Sequence, residues 1–125
     1  MSRCLLAAAT VLVLHVPFVH AADDELELAF NDHCRECHSF VKAANRLGPT
    51  LYGVVGRKAG TERGYAYSQS LKDSGVTWDA ATLDKWIADP GAVIPGNDMS
   101  PPYSGIADAG VRKQIIAYLK TLAPK

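Results

Sequence analysis

The sequence predicts an all-α fold, a small bundle of helices joined by long irregular loops. Three observations lead there. No apolar/polar alternation of useful length suggests a strand. Several segments carry apolar residues at helical spacing behind an Asp or Ser cap. Between them, Leu47 to Thr61 and Ile94 to Pro102 are so rich in Gly and Pro that neither can be a regular element. The 125 residues suit one domain, and a hydrophobic share of 48% is enough for a core and too high for a disordered tail. Thirteen Lys+Arg balance thirteen Asp+Glu, so the basic excess of a nucleic-acid binder is missing.

Residues 1–21 are set apart as a cleaved secretory signal. Arg3 gives a positive start, Leu5 to Leu14 is apolar apart from Thr10, and Val19-His20-Ala21 offers small residues at the −3 and −1 positions. The apolar run falls well short of the ~20 residues that cross a bilayer, so no stable membrane insertion is expected. Cys4 leaves with the signal, and residues 22–125 form the folded, exported domain.

The acids at Asp23, Asp24 and Glu25 open a first helix, with Leu26, Ala29, Phe30 and His33 behind them, expected to run to about Cys37. Ser68 to Asp73 is a minor helix stopped at Gly75. Asp79 caps a helix over Ala80 to Ala88 with Leu83, Trp86 and Ile87 inward, ended by Pro90-Gly91. Asp108 caps the last helix, where Val111, Ile115, Tyr118 and Leu122 share a face widened by Ile116 and Leu119. The expectation is three main helices, one short one and two long loops. Loops beyond ~12 residues in so small a domain need something to pack on, and a buried prosthetic group would serve.

Cys34-Arg35-Glu36-Cys37-His38 carries the Cys-x-x-Cys-His spacing of c-type haem attachment. On a helix, positions 34, 37 and 38 share one face. Two thiols one turn apart can then form thioethers to two vinyl groups of a porphyrin, and His38 is brought under the ring as an iron ligand. Its other nitrogen should donate to a backbone carbonyl, for which Pro49 is the candidate. Other readings are weaker. A thioredoxin-like dithiol needs a sheet around it. A zinc site built from His33, Cys34, Cys37 and His38 is too crowded to close a tetrahedron. A disulfide across one turn constrains little.

The second axial ligand follows by elimination. Met99 is the only methionine in residues 22–125, in a loop stiffened by Pro95-Gly96 and Pro101-Pro102; a core methionine is the ordinary alternative. His33, on the helix of His38, cannot readily reach the opposite face of the ring.

These motifs, together with Gly48-Pro49-x-Leu51-x-Gly53-x-x-Gly56-Arg57-Lys58, Gly64-Tyr65-x-Tyr67-Ser68, Trp78, Thr82-Leu83, Pro90, Ile94-Pro95-Gly96-x-x-Met99, Gly105-Ile106 and Ile116-Ala117-Tyr118-Leu119-Lys120, make the chain resemble a class I c-type cytochrome of the mitochondrial and related bacterial type. The resemblance covers nearly all of residues 22–125. It implies the class I cytochrome c fold wrapped around one haem c, attached through Cys34 and Cys37. It also implies that Arg57, Tyr67 and Trp78 hydrogen-bond the haem propionates, and that Phe30 packs across the final helix near Ile115 and Tyr118. Asn97 stands where the family usually has threonine. Trp86 replaces a tyrosine that in many members bonds the Met sulfur, so that bond is either remade by the indole or lost; core packing is the ordinary role for both tryptophans. Leu26 replaces a glycine that permits close helix approach.

An iron with both axial positions filled by His38 and Met99 leaves no site for substrate. The expected function is therefore not enzymatic: a soluble periplasmic monomer carrying single electrons from a quinol-oxidising complex or dehydrogenase to an oxidase or reductase. A dedicated haem c subunit of a periplasmic oxidoreductase complex is the alternative. Lys42, Lys58, Lys72 and Lys85 are scattered and Asp98 precedes Met99, so partner association should depend on salt less than in a strongly basic homologue.

Overall fold

The first and last helices pack directly on each other. The computed structural model describes residues 19–122, with side chains from residue 22, so most of the expected signal lies outside the described residues. The helices are α1 (Val19–His33), α2 (Gln69–Asp73), α3 (Ala80–Ala88), α4 (Pro90–Val93) and α5 (Ala109–Thr121). Among the described residues there is no strand, only an isolated antiparallel bridge between Lys58 and Thr77. None of these helices is long and apolar enough to cross a membrane.

Phe30 of α1 is completely buried, and its ring lies 5.1 Å from Tyr118 of α5 and 6.0 Å from Phe40. Burying such a side chain contributes roughly 1.5–3 kcal/mol. Ile115, Ile116, Tyr118 and Leu119 are buried on α5, with Val111 and Leu122 half-buried at the ends of the stripe. On α3 the inward residues are Leu83, Trp86 and Ile87. The Arg112 guanidinium ties α5 to α3 through Asp84 at 2.8 Å and holds the incoming chain through the Ile106 and Ala107 carbonyls.

The caps act where their residue types suggest. Asp79 Oδ1 accepts from Thr82 N at 2.7 Å, Asp108 Oδ1 from Gly110 N and Val111 N, and the Ser68 side chain from Leu71 N. Each relieves an otherwise unpaired N–H in a first helical turn.

Three boundaries differ from expectation. Helix α1 begins at Val19, four residues before Asp23, and so runs through the expected cleavage position. It ends at His33 rather than near Cys37, because the chain tightens into a separate turn that Gly48 N pulls aside by bonding the Cys37 carbonyl. Pro90 also does more than stop α3. Its fixed φ and missing N–H suit a first helical position, and Asp89 caps the extra short helix α4 by accepting from Ala92 N at 3.1 Å. There are thus two short helices instead of one.

Candidate haem-attachment site

Helix α1 delivers Cys34 at its end, where Cys34 N donates to Phe30 O at 2.8 Å. The Cys34 carbonyl then accepts from both Cys37 N (3.2 Å) and His38 N (2.9 Å). That single turn keeps the i, i+3, i+4 relation outside the regular helix, so the two thiols and the imidazole still share a side. The sulfurs are not joined to each other. Burial, reinforced by neighbouring Cys37, pushes the Cys34 thiol up to about 12. This is the opposite of the acidic thiol that a redox-active dithiol needs. Among the described residues no three His, Cys, Asp or Glu side chains converge as a zinc cage requires.

His38 is 9% exposed, and its Nδ1 lies 2.7 Å from the Pro49 carbonyl oxygen. That pairing assigns the proton to Nδ1 and leaves the Nε2 lone pair for a metal. Burial lowers the imidazole pKa more than the Pro49 bond raises it, with Arg57 adding to the lowering, so the ring is neutral at pH 7. Gly48 explains how the ring is kept in place. A Cβ built there would stand 2.3 Å from His38 Cε1, so only glycine lets the backbone lie against the imidazole. The loop behind is pinned by Thr50, whose N–H donates to Asn45 Oδ1 at 2.9 Å and whose hydroxyl donates to Val41 O at 2.8 Å.

Met99 is half-buried and packs on the same hydrophobic cluster as Cys34, a cluster that includes Trp86, Ile94 and Leu119. Two tyrosines mark where its loop meets the attachment turn. Tyr103 is pushed up to about 12, first by burial and then by Cys34 nearby; Tyr65 is raised by burial and then by Asp98 and Cys37. Leu51 and Ile106 are half-buried against the cluster, while Leu83 lies within it.

The three residues assigned to propionates are also brought together. Gly56 N bonds Trp78 O and Trp78 N bonds Arg57 O, which sets Trp78 beside Arg57. Tyr67 is raised by burial and lowered by Arg57, and its ring packs edge-on to Tyr65 at 4.8 Å. The Arg57 guanidinium is largely committed within the chain: Nη1 to Glu62 Oε2 at 2.6 Å and Tyr52 O at 3.1 Å, Nη2 to Thr50 O at 2.8 Å. Among the described contacts this leaves Nε–H and one Nη2–H for a further acceptor. Trp78 and Trp86 lie buried with ring centroids 5.0 Å apart. No hydrogen bond runs from Trp86 to the Met99 sulfur among the described contacts.

Sequence reasoning missed Glu62, Tyr103 and the close approach at Gly48. Glu62 and Tyr103 sit in loops without periodicity. Gly48 had a signal, a glycine just before the proline whose carbonyl was expected to hold the histidine.

These side chains fit a haem c: two unjoined thiols one turn apart, a neutral buried imidazole with one nitrogen left over, and an apolar lining. No protein-family model matches the chain. It is, however, 48% identical over 89 residues to cytochrome c2 iso-2 of Magnetospirillum molischianum, covering 71% of this chain and 90% of that one. It is 45% identical over 93 residues to cytochrome c2 of Rhodopila globiformis (74% and 86% covered). It is 42% identical over 93 residues to cytochrome c of Euglena viridis (74% and 89% covered). The chain belongs to the class I c-type cytochromes, electron-transfer proteins with one covalently attached haem c. Within that class its fold is similar to cytochrome cH from Methylobacterium extorquens, with a TM-score of 0.69 and 49% identity over 81% of this chain and 96% of that one.

Proposed function

We propose that this cytochrome is an exported, soluble, monomeric carrier of single electrons, with His38 and Met99 as the axial ligands of a low-spin haem. Residues 1–21 are removed on export and the mature protein works in the periplasm. It takes electrons from a quinol-oxidising complex or a dehydrogenase and passes them to an oxidase or reductase. The observation that carries the reading is the buried His38 ring, fixed through Nδ1 on Pro49 and set on the same turn as two free thiols.

When bound, haem supplies reversible one-electron exchange at its iron. The rest is the work of the chain. Pro49 and Gly48 hold the imidazole in one orientation, and burial keeps it unprotonated. The apolar lining of Leu51, Leu83, Trp86, Ile94, Ile106 and Leu119 lowers the local dielectric, which disfavours the extra charge of the ferric state. A thioether from Met99 favours the reduced metal compared with a second imidazole. Arg57, Tyr67 and Trp78 form the polar corner available to propionates.

The test is the spectrum of the purified protein. The reading expects a low-spin reduced spectrum, a weak far-red sulfur-to-iron band when oxidised, and no carbon monoxide binding by the reduced form. Met99→Ala should abolish the far-red band, open the iron to carbon monoxide and lower the potential. An unchanged spectrum and potential in that variant would refute the ligand assignment.

A further inference from the structure

Met99 is gripped by its main chain on both sides. Its N–H donates to Asn97 Oδ1 at 2.9 Å, and its carbonyl accepts from Tyr103 N at 3.0 Å. Both partners are themselves anchored. Asn97 is buried, its Nδ2 donates to Ile94 O at 2.9 Å, and its Oδ1 takes a second bond from Ser100 N at 2.9 Å. The Tyr103 hydroxyl donates to Ile87 O at 2.6 Å, a carbonyl in the last turn of α3 that also accepts from Ile106 N at 2.9 Å. Upstream, Ser70 Oγ donates to Gly96 O at 2.7 Å.

Pro101 and Pro102 have no N–H to offer. The remaining main-chain donors from Met99 to Tyr103 belong to Met99, Ser100 and Tyr103, and all three are spent within this arrangement. The bonds thus converge on one residue, and through Ile87 they fasten it to the helix that carries Trp86.

We propose that Asn97 and Tyr103 are positioning residues for Met99: a two-point clamp that fixes its main chain against α3 and so presents the thioether at one place. The inference rests on Met99 being an axial ligand. It concerns different atoms from that reading and can fail separately.

The experiment titrates the oxidised holoprotein with imidazole, which competes for the iron against a loosened methionine, and follows the far-red band. One such hydrogen bond is typically worth ~0.5–1.5 kcal/mol, so Tyr103→Phe, which removes one, should lower the half-saturating imidazole concentration roughly two- to tenfold, and Asn97→Ala, which removes three, should lower it further. Asn97→Asp, which keeps the acceptor for Met99 N but sets an oxygen against the Ile94 carbonyl in place of the Nδ2 donor, should restore only part of the loss. Thr61→Val deletes a hydroxyl bond to Lys58 O in an exposed loop elsewhere and should leave the titration unchanged. Tyr103→Phe, which removes a single hydroxyl, decides the matter if Asn97→Ala does not fold. Wild-type half-saturation in Tyr103→Phe, whatever its melting temperature, overturns the clamp while leaving the ligand reading intact. A wild-type protein without the far-red band overturns the ligand reading and the clamp with it.

Discussion

The attachment turn and the Met99 loop meet the same hydrophobic cluster but are held there by different means. On the His38 side the restraint is largely backbone and steric, a helix end, two bonds to one carbonyl and a glycine pressed against the imidazole, with the His38 Nδ1–Pro49 bond added to it. On the Met99 side it is mostly side-chain hydrogen bonding, from Asn97, Tyr103 and Ser70, in a chain whose prolines leave few donors. Backbone restraints fail only when the chain itself is rebuilt, whereas a side-chain bond can be lost one atom at a time. The first region is therefore expected to hold its geometry, and the second to be where ligand lability is set.

Gly48→Ala should have the largest effect. Its methyl would stand 2.3 Å from His38 Cε1, forcing the ring off Pro49. Overpacking of this kind typically costs 1–3 kcal/mol or more, and here it acts on the proposed iron ligand itself. The yield of holoprotein should collapse; normal yield with an unaltered spectrum would show that the His38 side gives way without losing its geometry.

Gly105→Ala makes the same test on the other side. Its φ is +91°, and an added Cβ would meet Ala88 O at 2.0 Å. The loop should detach from the end of α3, weakening the far-red band while haem stays covalently bound. Loss of the haem as well would mean that the two regions do not behave independently.

Asp108→Ala disturbs neither region directly. It removes the acceptor for Gly110 N and Val111 N at the start of α5 and should cost ~1 kcal/mol, read as a lower melting temperature with an unchanged spectrum.

The smallest effect belongs to Asp84. Its carboxyl is held below the ordinary 3.8 first by the hydrogen bond from Arg112, so its stabilisation is present above about pH 4 and is lost as pH falls through the lower folded value. Asp84→Asn should melt slightly lower than wild type at pH 7 and converge with it in acid. A gap that persists in acid would assign the contact to packing.

The same contrast governs how much could be read from the sequence. The attachment turn is a contiguous motif, and Pro49 followed from asking where a ligating histidine sends its second nitrogen. The caps Ser68, Asp79 and Asp108 were legible because N-capping is local chemistry. Met99 could be nominated by elimination, but not the residues that hold it: Asn97 acts two positions upstream, while Tyr103 reaches Ile87 across the fold. Glu62 was invisible for a similar reason, since its pairing with Arg57 joins two loop positions that no periodicity relates. Helix α4 was missed because Pro90-Gly91 reads first as a stop, although the same proline suits a helix start.

Covalent attachment of one haem through Cys34 and Cys37 underlies every role given to these side chains. The most direct measurement is the intact mass of the purified protein after denaturation, with its absorption spectrum recorded on the same sample. The prediction is a single species heavier than the polypeptide by one haem and coloured throughout unfolding. A colourless chain at the bare polypeptide mass, with both thiols open to alkylation, would contradict it.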